Sequence, residues 1–258
     1  MKNKITEIVN KNGILDVGFL KFSEIENHLL DCRAKSRIPK NAKSIIILLF
    51  PYKVKNEKPK NISRYAAVPD YHNVCGRYLE NITADLKREF SENEFSFFID
   101  NSPVPEVYAA AAAGLGLYGK NRMLINNKWG SYVFIGEIVT DLEIDAENNL
   151  KKCSLCGDCF KACPSLVHGA KCLSALSQQK SDLKNKENEL LKINNIVWGC
   201  DICAEACPLN KNVQNTYIEE FINGYREEYV LGEDIKNRAY EWRGEKVVAR
   251  NYVNLNKR

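Results

Sequence analysis

Apolar positions recur along this chain with two different periods, and the changes of period mark the elements. Ile5–Asn10 has the spacing of an amphipathic helix ending near Asn12-Gly13. Ile14–Leu20 then alternates residue by residue, as a half-buried strand does, and Ser23 is placed to cap a helix over Glu24–Leu30. Ser44–Phe50 is an unbroken apolar run, which predicts a strand buried on both faces and stopped by Pro51. Lys53–Lys60 is polar and lysine-rich, the composition of a loop. Helical spacing returns over Asp70–Phe90, with Val74, Tyr78, Ile82 and Leu86 along one face. Phe95–Ile99 predicts another strand, with Asp100 at its end, and Pro103–Ala113 a helix whose alanines suit close packing. Gly130–Thr140 alternates as a strand, and Ser181–Glu189 is charged and loop-like. The elements predict an α/β or α+β domain over residues 1–148, a cysteine-rich module over 149–215 and a helical, basic tail over 216–258.

Composition adds compartment and charge. The chain has 258 residues, 45% hydrophobic, which is ample for a core. Its longest apolar run, Ile45–Phe50, is far too short to span a bilayer. Met1–Asn10 lacks an apolar signal region, so a cytoplasmic, reducing location is expected. The formal charge is +4, but residues 236–258 hold seven Lys or Arg against Glu241 and Glu245, so the rest of the chain is close to neutral. A basic tail attracts nucleic acid or simply forms a solvated face.

Ten cysteines in a reducing compartment point to metal or catalysis. One run reads Cys153-x2-Cys156-x2-Cys159-x3-Cys163-Pro164, the bacterial ferredoxin spacing in which three cysteines hold one [4Fe–4S] cube and the last reaches a second. A second run, Cys200-x2-Cys203-x3-Cys207-Pro208, repeats it without its first cysteine, and Cys172 is the thiol available to fill the gap. The assignment is therefore Cys153, Cys156, Cys159 and Cys207 for one cluster, and Cys163, Cys172, Cys200 and Cys203 for the other. Structural zinc is the competing reading of C-x2-C pairs, although it leaves the nearly repeated triple spacing unexplained. Cys32 and Cys75 remain as buried thiols.

Gly114-Leu-Gly-Leu-Tyr-Gly119-Lys120-Asn121 satisfies G-x-G-x-x-G and nearly satisfies a phosphate-binding G-x4-G-K-[ST] loop. Both motifs require a strand before the glycines and a helix after them. Here an alanine-rich helix comes first, Gly114 reads as its C-cap, and Asn121 replaces the hydroxyl that magnesium would need. Dinucleotide and ATP readings are rejected.

Taken together, these segments resemble the epoxyqueuosine reductase family. The matching residues are Arg64-Tyr65 with Asp70-Tyr71-His72, Ile99-Asp100-Asn101-Ser102-Pro103, Ala113 through Asn121, Gly130 through Glu137 with Thr140, and both cysteine runs with Lys171-Cys172-Leu173. Weaker similarity continues through Trp242-Arg243-Gly244 and Arg250-Asn251. The resemblance implies a nitroreductase-like, cobalamin-binding domain, a ferredoxin-like module with two [4Fe–4S] clusters, and a short helical tail. It implies that Asp100 is the proton donor beside the cobalt, and that Arg64, Lys120, Asn121, Ser131, Ser177 and Gln178 surround the cobalamin. Full-length members carry a further helical-repeat domain that helps grip tRNA, so this sequence is identified as a short form. Pro208-Leu209-Asn210 also departs from the family's usual Pro-Trp-Asn.

The activity so implied is two-electron reduction of epoxyqueuosine in tRNA to queuosine with loss of water, by a monomer fed from an external low-potential donor. A corrinoid reductase of another small substrate, akin to the dehalogenases, would keep everything but the tRNA surface. A ferredoxin-like electron carrier would keep the clusters and need neither a cobalamin site nor Asp100. Read without the resemblance, Asp100 is a turn former or helix cap, His72 a hydrogen-bonded helix residue, and Glu137 a partner for Lys or Arg.

Overall fold

The computed structural model describes residues 1–256. In chain order its main elements are α1 (Lys2–Lys11), β1 (Asp16–Lys21), β2 (Ser44–Pro51), α2 (Arg64–Ala67), α3 (Tyr71–Glu89), β3 (Phe95–Ile99), α4 (Glu106–Ala112), β4 (Leu117–Tyr118), β5 (Leu124–Ile125), β6 (Val133–Thr140) and β7 (Lys151–Lys152). Then follow α5 (Asp158–Lys161), α6 (Pro164–Val167), α7 (Leu173–Ser177), α8 (Asn185–Ile193), α9 (Ile202–Glu205), α10 (Glu219–Asn223) and α11 (Glu245–Asn256). They form two compact units, Met1–Pro51 with His72–Leu155, and Tyr52–Tyr71 with Cys156–Arg258. Both the boundary near 148 and the separate tail of the sequence reading are thus redrawn.

In the first unit an antiparallel sheet of order β1-β2-β6-β3 carries the core. Every residue of β2 is buried, as its unbroken apolar run requires of a central strand. Leu79 of α3 packs so tightly on β6 that a side chain at Gly136 would sit 2.8 Å from it. The alanine face of α4, Ala109–Ala112, is fully buried against the sheet core, with Ile47, Leu49 and Phe98 in the same cluster. Helix α4 begins at Glu106, not Pro103, because Ser102 and Val104 each precede a proline and are held away from helical geometry. It ends in a Schellman motif: Gly114 has φ +81°, its N–H reaches Ala111 O at 3.0 Å, and Leu115 N–H reaches Ala110 O at 3.0 Å. Strand β4 follows, so the glycine-rich stretch cannot cradle phosphate at a helix start.

The helix expected over Glu24–Leu30 is two short 3-10 turns, Phe22–Glu24 and Glu26–His28. Leu30 N–H bonds to Pro103 O at 2.8 Å, a tertiary partner in place of the helical one. The Ser181–Glu189 loop is also corrected: α8 starts within it, with the Glu187 carboxylate accepting Lys184 N–H at 2.9 Å and Leu190 and Leu191 buried.

The second unit is knitted by its supposed loop and tail. Lys53 is buried, its Nζ donating to Val213 O at 3.0 Å and Asn56 Oδ1 at 2.9 Å, and burial lowers its pKa. Asn61 exchanges two hydrogen bonds with the Tyr229 backbone, at 2.9 and 2.8 Å. Tyr229, Tyr240, Val247 and Val248 share a core with Ile62, Ala66 and Trp198. Asn251 of α11 donates to Ser177 O and Val197 O, both at 2.8 Å, although it is almost wholly buried. Asn251→Leu leaves both carbonyls unsatisfied, so it is expected to destabilise the protein by about 2–4 kcal/mol in a urea titration.

Candidate functional site

Functional side chains collect in two places, one in each unit. In the first, β3 delivers Asp100 at its end with φ +50°, a left-handed conformation that aspartate tolerates better than most residues. Its side chain is 56% exposed, and its Oδ2 lies 3.1 Å from His72 Nε2 at the start of α3. Pro105, not Asp100, stands at the N-cap of α4. Asp100 therefore forms the turn without capping the helix.

Glu106, in the first turn of α4, stands behind Asp100. Its pKa is raised to about 7, first by burial and then by the charge of Asp100, while an Asp100 backbone hydrogen bond and His72 act in the opposite sense. Deeper still is Glu137 of β6, with no exposed surface. Burial pushes its carboxyl well up, Glu106 and Asp100 add to the effect, and the Ser102 hydroxyl offsets part of it. The expected Lys or Arg partner is not what faces Glu137; its cross-strand neighbours are Ile47 and Phe98, and its charged neighbours are carboxylates. A cavity of about 510 Å³ opens beside this cluster, lined by Asp100, Ser102, Glu106, Tyr108, Tyr118 and Arg122 among others. Cys32 also lines it, whereas Cys75 is fully buried in α3.

The loop after β4 carries Lys120 and Asn121. Gly119 makes its tight turn, because a Cβ there would lie 2.5 Å from Asn121 Oδ1. Asn121 Nδ2 is buried with no hydrogen-bond partner, and the Lys120 backbone N–H points at Cys153 Sγ, 3.3 Å away. Ser131 is buried just before β6.

The second place holds the cysteines from Cys156 onward. Both runs fold alike: Cys159 sits on α5 and Cys203 on α9, two short helices packed together. Cys163 and Cys207 are each an extended N-cap with proline at the first position of the next turn. The prolines thus begin new turns rather than merely ending old ones. Cys203 is pushed up to about 11 by burial and then by Cys163 and Cys172, and Cys200 to about 12 by burial, Asp201, Cys203 and Cys172. Cys163, Cys172 and Cys159 thus lie within electrostatic reach of Cys203, and Cys172 and Cys203 within reach of Cys200. Among the described residues no three His, Cys, Asp or Glu side chains form a group that could hold a single ion.

Residues around this set are engaged in holding it. Arg64 is buried; its guanidinium pairs with Glu205 at 2.8 Å and donates to the carbonyls of Lys55, Asn56 and Glu57, while its backbone N–H reaches Asp201 Oδ2 at 2.6 Å. Ser177 is fully buried, donating to Ser174 O and accepting from Gly199 N–H at 3.0 Å. Gly199, with φ +70°, must be glycine, since a Cβ would fall 2.0 Å from Ser63 Oγ. Gln178 is half-buried, with only long contacts to Tyr65 Oη and Ser174 Oγ. Sequence reasoning missed Glu106 altogether; its one signal was a carboxylate opening an otherwise apolar helix.

The family model described as "Epoxyqueuosine reductase QueG, DUF1730" matches residues 34–101. The epoxyqueuosine reductase of Leadbetterella byssophila is 34% identical over 211 residues, which cover 78% of this chain and 70% of that one. That of Cyclobacterium marinum is 32% identical over 241 residues, covering 86% and 73%. The fold is shared with a crystal structure of epoxyqueuosine reductase holding an epoxyqueuosine-modified tRNA-Tyr stem loop, at TM-score 0.83, 23% identity, 98% coverage of this chain and 80% of the other. It is equally shared with the Bacillus subtilis enzyme whose catalytic aspartate loop is swung out of the active site, at TM-score 0.82, 23% identity and the same coverages. The class is that of an α+β oxidoreductase. More narrowly, the chain belongs to the epoxyqueuosine reductase family.

Proposed function

We propose that this protein reduces epoxyqueuosine in tRNA to queuosine, with Asp100 as the proton donor. The observation that carries the reading is Asp100 itself, fixed at a strand end on the rim of a cavity, paired with His72 and backed by further carboxyls. An electron carrier has no use for such a group. The first unit serves as a nitroreductase-like corrinoid domain and the second as a ferredoxin-like module with two [4Fe–4S] clusters.

The residues present fit these groups. Seven cysteines in two similar loops, with Cys172 between them, match two cubes, and the charge effects of Cys172 on Cys200 and of Cys163 and Cys172 on Cys203 support one of the quartets. A bound corrinoid would supply a strong two-electron donor for the substrate carbon. In the first unit Lys120, the unpartnered Asn121 amide and Ser131 are the residues that would hold it. Arg64 and Ser177, whose polar groups are held within their own unit, act by fixing the loops around Gly199. Asp100 gives its proton to the epoxide oxygen, and His72 orients the carboxyl. The location follows from the substrate, since tRNA is modified in the cytoplasm, and no described helix is long and apolar enough to cross a membrane.

The basic tail contributes less to tRNA binding than its composition promised. Arg238 is buried against Ala67 O and Arg250 donates to Ser181 O, while Lys257 and Arg258 lie outside the described residues. Lys236 and Lys246 remain exposed. Replacing both with alanine is expected to flatten the dependence of log affinity on log salt by roughly one per lysine that meets a phosphate. Salt-independent binding by the parent would favour a small substrate.

The function is tested in cells blocked at this step, whose tRNA accumulates epoxyqueuosine. Expressing this chain should restore queuosine to the digested tRNA; epoxyqueuosine persisting beside abundant, iron-loaded protein would overturn the reading.

A further inference from the structure

Removing an epoxide oxygen as water consumes two protons. Two C–O bonds break, one C=C π bond forms, two electrons arrive from the external low-potential donor, and both protons end on the departing oxygen. Asp100 carries one proton at a time, so it must be reloaded within each turnover. This need rests on the epoxide-reducing activity proposed above.

Behind Asp100 the structure supplies a graded line of carboxyls. Asp100 is exposed at the cavity rim, Glu106 is half-buried in the cavity wall, and Glu137 is fully enclosed in the sheet. Glu106 Oε1 is buried without a hydrogen-bond partner, and the Glu137 oxygens are buried beside the Ser102 hydroxyl with no close hydrogen bond to it. An ionised carboxylate so placed, with no cation against it, is strongly disfavoured. The Glu106 charge raises the Glu137 pKa further, so ionisation of one carboxyl disfavours ionisation of the other. The charged neighbours are Asp100 and His72 on Glu106, and Glu106 and Asp100 on Glu137, with Asp31 and Arg122 elsewhere on the cavity wall. We propose that Glu106 and Glu137 form a buried carboxyl pair that stores one proton and passes it outward to Asp100 for the second protonation.

Both act through Asp100, as positioning and relay groups, and the arrangement sets the sign of their pH dependence. Each folded-state pKa lies above the ordinary carboxylate value, so the neutral pair stabilises the fold fully below about pH 4.5, and for Glu106 that contribution is lost as pH rises through about 7. Glu106→Gln and Glu137→Gln remove a buried ionisable group and keep its shape. Both variants should therefore fold, and melt at a higher temperature than the parent at pH 8 but not at pH 5.

The test has two readouts. Infrared spectra of the cofactor-free protein, titrated from pH 5 to 9, should show protonated carboxylic C=O absorption at pH well above the ordinary carboxylate range, one component of it lost near pH 7 and absent in Glu106→Gln, another absent in Glu137→Gln. In the loaded enzyme Glu106→Gln should lower turnover roughly tenfold and erase its pH dependence near 7, and Glu106→Asp should recover part of both. A parent with no protonated carboxyl above pH 6, or a Glu106→Gln pH profile matching the parent's, overturns the proton store. The infrared band does not depend on turnover, so its presence in a protein that fails to reduce epoxyqueuosine would reject the activity and leave the carboxyl pair standing.

Discussion

Asp100→Asn is expected to lower epoxide reduction roughly a hundredfold or more, the scale of a lost general acid, while leaving the fold, iron content and corrinoid binding intact. Asparagine tolerates the left-handed φ of +50° about as well as aspartate, so the turn from β3 towards α4 should survive. The contact with His72 can also be kept, because an amide offers both a donor and an acceptor. What vanishes is the proton. Since Pro105 holds the N-cap of α4, loss of a helix cap cannot account for lost activity. Turnover near the parent's would show that Asp100 only shapes the turn.

The second large effect is expected at Cys172. Parent protein reconstituted without oxygen should hold about eight iron and eight sulfide per chain, and Cys172→Ala about four of each. Cys172 is exposed at the N-cap of α7, so alanine there opens no core cavity and loses no side-chain cap bond. The deficit should fall on the cluster shared with Cys163, Cys200 and Cys203; burial pushes the Cys200 and Cys203 thiols up, so metal binding must draw off their protons. Stoichiometric zinc without labile sulfide in the parent would defeat the assignment.

Elements fixed by local chemistry were legible in the sequence. Phe95–Ile99 is a strand with the bounds read from its apolar run, and Gly114 terminates α4 as its position after the alanines implied. Where tertiary contacts decide, the local pattern misled. Lys53–Lys60 reads as a polar loop, and residues 55–58 are exposed, yet Lys53 is buried on Val213 O and Arg64 gathers the carbonyls of Lys55, Asn56 and Glu57. The tail reads as polar because its apolar residues are scattered, yet Tyr229 and Tyr240 are fully enclosed. For the site, Asp100 was visible at a strand end and the cysteines by spacing. Glu106 and Glu137 were not recognisable as a pair, because residues 31 positions apart meet only once α4 lies across β6. A lone Glu in an apolar strand was read as half of an ion pair, the commoner solution to burial, whereas its charged neighbours are carboxylates and burial pushes its pKa up.

The most direct measurement of the central claim is nucleoside mass spectrometry after incubating the iron-loaded protein with cobalamin, a low-potential reductant and epoxyqueuosine-containing tRNA. Queuosine should replace epoxyqueuosine, one oxygen lighter, in the presence of all three and in none of the incomplete mixtures. Epoxyqueuosine recovered unchanged from the complete mixture, with iron and corrinoid both bound to the protein, would contradict it.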